Sequence, residues 1–129
     1  MLWPFKRRKP GNPHALKVDD VEFVGRQPEG SSERHLQQAL ADLFRRQHSL
    51  VARAYLARVK YAGSPEVHVA LCLRADGAEQ TKLAKDVGRV FASIFSAEVH
   101  LDTLFVDTSR EKALLDVCKP FYPHSPLSS

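Results

Sequence analysis

The feature that most constrains the fold is a pair of strand-like runs joined by a short turn. Residues 50–61 and 66–74 flank the sequence Ala-Gly-Ser-Pro at 62–65, a turn-rich group of hairpin length. In the second run the apolar side chains alternate along the chain: Val67, Val69, Leu71 and Leu73. Because successive side chains of a strand point to opposite faces, one face of this strand is expected to lie in a core.

Two segments with apolar residues at three- and four-residue spacing predict amphipathic helices on either side of the hairpin. The first runs from the serine pair at residues 31–32, either of which can cap it, to about Gln47. Its apolar stripe consists of Leu36, Ala39, Leu40, Leu43 and Phe44. The second follows Asp76, a predicted N-cap with Glu79 at capping-box spacing, and ends near Phe95. Its stripe consists of Leu83, Val87, Val90, Phe91 and Ile94.

Two further strands and a short third helix complete the predicted element order. Residues 18–25 and 98–107 are typical of strands, and Thr108 with Glu111 has the capping-box spacing that should begin a helix. The resulting order is that of an α+β fold of the ferredoxin-like (split βαβ) type. Such a fold is an antiparallel sheet with two helices on one face, here with a short additional C-terminal helix. Right-handed crossovers would place the first and third strands in the centre and the second, residues 50–61, at an edge.

In that arrangement one face of the sheet carries no helix, and the residues expected on it are largely apolar. They are Tyr55, Ala57, Val59, Tyr61, Ala70 and Cys72. Exposed apolar patches commonly mark interaction sites. We therefore predict that a second copy of the chain, or another protein, binds this face. The alternative is that the carboxy-terminal segment with Phe121 and Tyr122 folds back over it.

The chain of 129 residues has the size of one domain. We place this domain at residues 18–122, after a flexible basic lead at 1–17 and before a disordered tail at 123–129. The basic run at 6–9 accounts for the formal net charge of +4, so the folded body is expected to be near neutral and not to bind nucleic acid. Residues 1–9 also hold apolar side chains, which makes weak peripheral membrane contact a candidate role. The two distant cysteines and the lack of a long apolar stretch predict a cytoplasmic protein without a transmembrane segment.

Side chains that could act in catalysis or bind a metal are few, and they match no catalytic motif. The glycines are isolated and form no phosphate-binding loop, which argues against nucleotide hydrolysis. The candidate ligand or metal site is His68, His100 and Asp102, which would share the open face with Asp20 and Glu22, because imidazole and carboxylate suit a divalent metal. The predicted strand order separates the two histidines by two strands, about 10 Å. We therefore expect no enzyme activity, metal or cofactor, with a metal-dependent or acid–base site as the alternative.

Four segments of the chain resemble the carboxy-terminal domain of the SseB family, bacterial proteins named for enhanced serine sensitivity. They are residues 51–59, 67–73, 101–107 and 120–122, of which Ala-Tyr-Leu-Ala at 54–57 and Pro-Phe-Tyr at 120–122 are the most specific. The likeness covers roughly residues 18–122, and only the basic lead stands where the family usually has an amino-terminal domain. It implies a bacterial, cytosolic α/β domain with no recognised active-site residues.

Two functions follow as expectations. The first is a non-catalytic protein-interaction or self-assembly domain of the SseB type, whose biochemical role is undefined. The alternative rests on analogy with other ferredoxin-like domains. It is the sensing of a metabolite or amino acid at a dimer interface or a pocket on the sheet face.

Overall fold

The computed structural model describes residues 21–27, 30–63, 65–95 and 101–123. Its elements are β1 (Val21–Arg26), α1 (Ser31–Gln47), β2 (Arg53–Tyr61), β3 (Val67–Arg74), α2 (Gln80–Ile94), β4 (Asp102–Phe105) and α3 (Thr108–Leu115). The predicted element order and the mixed α+β class are confirmed. The predicted lead, and all of the predicted tail except its first residue, lie outside the described residues.

The four strands lie in the sheet in the same order as in the chain. β1, β2 and β3 pair antiparallel, whereas β4 pairs parallel with β3. This order corrects the ferredoxin-like prediction, in which the second strand was placed at an edge. That prediction treated both helices as crossovers between parallel strands. Instead α1 joins β1 to its antiparallel neighbour β2, and only α2 connects two parallel strands.

One face of the sheet packs against α1 and α2. Its buried strand residues include Ala54 and Leu56 of β2 and Val69, Leu71 and Leu73 of β3. The helical residues that cover them include Leu36, Leu40, Leu43, Phe44, Leu83, Val87 and Phe91. All of these helical residues belong to the two predicted apolar stripes. The helical period therefore located this core correctly.

The opposite face is not open, because α3 covers it. Leu114 of α3 and Cys118, which follows the helix, are buried in a second apolar cluster with side chains from all four strands. Five of the six residues predicted to bind a partner are fully buried in this cluster: Tyr55, Ala57, Val59, Ala70 and Cys72. The sixth, Tyr61, is partly buried. The prediction of an open partner or dimer face is thus corrected: these side chains are apolar because α3 packs on them.

The carboxy-terminal segment does not form the predicted lid but extends the sheet. Tyr122 forms an antiparallel bridge with Ala54 of β2. The Ala54 N–H donates to the Tyr122 carbonyl (3.0 Å) and the Phe121 N–H donates to the Ala54 carbonyl (2.9 Å). β1 pairs with residues 57–61 of β2, so the bridge continues the same side of β2 towards its start. The Tyr122 ring is buried on the α1 side of the sheet, edge-on to Phe44 with 5.2 Å between the ring centroids.

All three helix starts differ from the predicted caps. The N-cap of α1 is Gly30, whose N–H donates to Glu33, so neither serine at 31–32 caps this helix. The other two differences concern predicted capping boxes. Asp76 lies in a turn and accepts a hydrogen bond from Arg74 (2.8 Å), and α2 begins only at its residue 80. α3 is capped not by Thr108 but by Asp107, whose carboxylate accepts from the backbone N–H of Arg110 (2.8 Å). In both cases the spacing matched a capping box, but Asp76 pairs with Arg74, and Glu111 binds Arg53 and Tyr55.

No helix in the described part of the chain is long and apolar enough to cross a membrane.

Replacing Leu114 with alanine should lower the free energy of unfolding by about 2 kcal/mol, because it leaves a cavity under α3 at a fully buried position. The matched control is the same substitution at Leu115, which is 49% exposed and should change stability by less than about 0.5 kcal/mol. Urea denaturation followed by circular dichroism measures both. Equal effects at the two positions would contradict the packing of α3 on the sheet.

Candidate functional site

A polar network centred on Glu111 of α3 lies on the α3 side of the sheet. Arg53 donates from Nε and from Nη2 to the two carboxylate oxygens, with 2.8 Å between Nη2 and Oε1. The hydroxyl of Tyr55 donates to Oε2, and Nη1 of Arg74 lies 3.6 Å from Oε1. Arg53 and Arg74 are register partners on β2 and β3, which places both guanidinium groups beside the same carboxylate. Glu111 itself is only 5% exposed.

We call this network the Glu111 anchor, because its hydrogen bonds and ion pairs hold α3 on the sheet. The hydrogen bonds from Arg53 hold the pKa of Glu111 below its usual value, and Tyr55 adds to this effect, although burial opposes it. Burial, followed by the hydrogen bond to Glu111, raises the pKa of Tyr55. The carboxyl group therefore stays ionised and the phenol stays protonated near neutral pH. Since its oxygens are already bound by these donors, the carboxylate fixes α3 to the sheet.

A second polar group contains two of the predicted ligand residues. The Tyr61 hydroxyl donates to Oδ2 of Asp102, and the rings of Tyr61 and His68 lie 5.1 Å apart between centroids. Nε2 of His68 lies 3.9 Å from Oε2 of Glu66. Burial and the Asp102 carboxylate raise the pKa of Tyr61, so its phenol remains a donor. The structure thus brings His68 and Asp102 to one tyrosine, which the sequence analysis had assigned to the partner face.

The other predicted members of this group do not complete it. His100 and Asp20 lie outside the described residues, and Glu22 is exposed on β1. The predicted gap of two strands is wrong, because β3 and β4 are direct neighbours. Among the described residues no group of three or more histidine, cysteine or acidic side chains could hold a metal ion.

The two cysteines are buried inside the α3-side cluster and are not joined by a disulfide. Burial, with a smaller contribution from the charge of Cys118, raises the pKa of the Cys72 thiol. A thiol that is protonated and shielded from solvent is a poor nucleophile. Both cysteines therefore act as small packing residues.

A third polar pair, between His48 and Asp86, was not predicted from the sequence. His48 ends α1, and its Nε2 lies 2.8 Å from Oδ2 of Asp86 on α2. Nη1 of Arg89 lies 3.3 Å from the other carboxylate oxygen. The hydrogen bond to His48 lowers the pKa of Asp86. The signal that could have found this pair is the position of Asp86 within the buried stripe, beside Val87.

The family model of the SseB protein C-terminal domain matches residues 25–124. The chain belongs to this family. The match confirms the resemblance, and it includes α3 and the bridge formed by Tyr122, so both belong to the SseB C-terminal domain. No curated protein and no solved structure matches the chain.

The sequence pieces that resemble the SseB family meet each other in the fold. Ala54, the first residue of the Ala-Tyr-Leu-Ala run, bridges Tyr122, the last residue of Pro-Phe-Tyr. The next residue of the run, Tyr55, binds Glu111 of α3. These pieces therefore hold the carboxy-terminal elements on the sheet, which is a structural role.

Proposed function

We propose that this SseB domain is a non-catalytic protein-interaction domain. The observation that supports the proposal is that its buried acidic side chains are engaged within the fold. Glu33 accepts from the Gly30 N–H at the start of α1 (2.9 Å), Asp86 joins the two long helices, and Glu111 anchors α3. General acid–base or nucleophilic chemistry needs a perturbed group that a substrate can reach.

The partner has to bind an outer surface of the domain. On the α3 side of the sheet, Leu114 and Cys118 occupy the face where a partner, a second copy or a metabolite was expected. Anything binding there would first have to displace α3 and its Glu111 anchor. A protein partner can instead bind an outer surface, whereas the metabolite-sensing alternative needs an enclosed pocket on this face, which α3 fills. This difference favours protein binding. The two cysteines, which are not joined by a disulfide, suit a reducing compartment, and we propose that the domain acts in the cytoplasm.

Site-specific photocrosslinking in the cells that express the chain tests the proposal. A benzophenone amino acid is placed singly at Gln38 of α1, at Ala92 of α2 and at Ala113 of α3, all of them exposed. These three positions sample the helical layer and the α3 side without touching the core. We expect at least one position to yield a discrete protein adduct, identified by mass spectrometry.

The outcomes separate the hypotheses. An adduct with twice the mass of the chain indicates self-assembly, and an adduct with a different protein identifies the partner. Illumination that produces no discrete adduct at any of the three positions would contradict a protein-interaction function.

A further inference from the structure

The two long helices carry the excess positive charge of the described domain. Together α1 and α2 contain six basic side chains and three acidic ones. The basic residues are Arg34, Arg45, Arg46, Lys82, Lys85 and Arg89, and all six are exposed. The folded body was expected to be near neutral from its summed charge, but a sum does not show where the charges lie.

The acidic side chains of the same helices mostly do not reach this surface. Glu33 and Asp86 are buried in contacts with Gly30 and His48, which leaves Asp42 as the exposed acidic residue of α1 and α2. Asp42 forms an ion pair with Arg45. The charged side chains on the outer surface of α1 and α2, on the side away from the sheet, are therefore mostly basic, and Glu79 at the N-cap of α2 adds one exposed acidic side chain.

Four of the six basic side chains have no ion-pair partner among the described residues. They are Arg34, Arg46, Lys82 and Lys85. Exposed like charges on neighbouring helices repel each other, at a small cost in stability. A bound anion would remove that repulsion.

The composition of this surface discriminates between anionic partners. Neither helix exposes a large apolar side chain, since the exposed large apolar residues of the described chain are Leu50, Leu115 and Val117. An interfacial membrane site needs such a side chain, and single-stranded nucleic acid needs aromatic stacking platforms. Duplex binding relies on roughly six to ten phosphate contacts, more than four unpaired cations provide. The carboxylates of a protein can form ion pairs with lysine and can accept two hydrogen bonds from the guanidinium group of arginine.

We propose that the outer surface of α1 and α2 binds an acidic segment of a partner protein, an inference that rests on the protein-interaction function above. The partner is defined by its chemistry, a run of aspartate or glutamate side chains. Its carboxylates pair with Arg46, Lys82 and Lys85, none of which forms an ion pair within the described part of the chain.

Fluorescence anisotropy with labelled decaglutamate as the probe tests the inference on the full chain. The triple variant R46Q/K82Q/K85Q removes three charges from the helical surface. The matched control R58Q/K112Q/K119Q removes three exposed charges elsewhere. Both retain the amino-terminal basic run, and circular dichroism checks that both remain folded.

At about 0.15 M salt we expect the helical triple variant to bind decaglutamate about tenfold more weakly, and the control less than about twofold more weakly. Equal losses in the two variants would overturn the inference. Tighter binding of a short DNA duplex, or of phosphatidylglycerol vesicles, with the same dependence on the helical charges would overturn it as well. Crosslinks at Ala113 but not at Gln38 or Ala92 would also overturn the inference, while the protein-interaction function would stand.

Discussion

Replacing Glu111 with alanine is expected to lower the free energy of unfolding by about 3 kcal/mol. The carboxylate is buried between two arginines and a tyrosine, and its removal leaves the Tyr55 hydroxyl buried without its acceptor. Breaking a buried ion pair from one side costs about 3–5 kcal/mol. We take the lower value because Arg53 is partly exposed and water can reach it. Chemical denaturation at neutral pH measures the change.

The matched control for Glu111 is its neighbour Lys112. Lys112 lies on the exposed side of α3, so its replacement by alanine should change stability by less than about 0.5 kcal/mol. Both substitutions place the best helix former in the same helix, which removes helix propensity as an explanation. An effect at Glu111 no larger than at Lys112 would contradict the anchor.

The pH dependence of stability tests the same network. The pKa of Glu111 is lower in the folded chain than in the unfolded chain, so its contribution is complete above the unfolded value and is lost as the pH falls. Stability should therefore fall from about pH 5 downwards. Glu111→Gln should make this fall less steep, while Asp86, whose pKa is also lowered, preserves part of it. If the free energy of unfolding of the variant fell with decreasing pH as steeply as that of the parent chain, the result would contradict an ionised Glu111.

Replacing Tyr122 with alanine is expected to lower the free energy of unfolding by about 4 kcal/mol. The ring is 8% exposed and packs edge-on against Phe44 of α1. Truncating a buried aromatic side chain to alanine costs about 3–5 kcal/mol through lost burial and the cavity left behind. The backbone bridge to Ala54 should weaken too, because the ring holds the segment in place.

The control is Tyr122→Phe, which keeps the ring and should cost less than about 1 kcal/mol. Thermal and urea unfolding compare the two variants with the parent chain. If alanine were tolerated as well as phenylalanine, the carboxy-terminal segment would not be part of the core. That result would contradict the bridge between Tyr122 and Ala54 of the sheet.

The helices and central strands could be predicted because their signals are local. The three- and four-residue spacing in α1 and the alternation in β3 reflect which side of each element meets a core, and both elements are found where they were expected. Strand order has no such local signal. The same order of elements fits a sheet in which α1 crosses between parallel strands and one in which it joins antiparallel neighbours.

The candidate site was predicted only in part, for a similar reason. His68 and Asp102 each contact Tyr61, since all three belong to strands of one sheet, but their role as ligands stays a prediction. Glu111 was assigned to a helix cap, since its spacing from Thr108 fits a capping box. Its partners Arg53 and Tyr55 are more than fifty positions away in the sequence, so no local pattern connects them.

By itself the sequence determined the element types, the core facing the two long helices and membership of the SseB family. Each of these follows from a periodic or contiguous pattern of side chains. Only the tertiary structure decided that α3 closes the second face and that the six basic residues of α1 and α2 are all exposed. The reason is physical: an apolar strand face looks the same in a sequence whether it is covered by the chain's own helix or by a partner. Which of the two occurs depends on contacts between residues far apart in the chain.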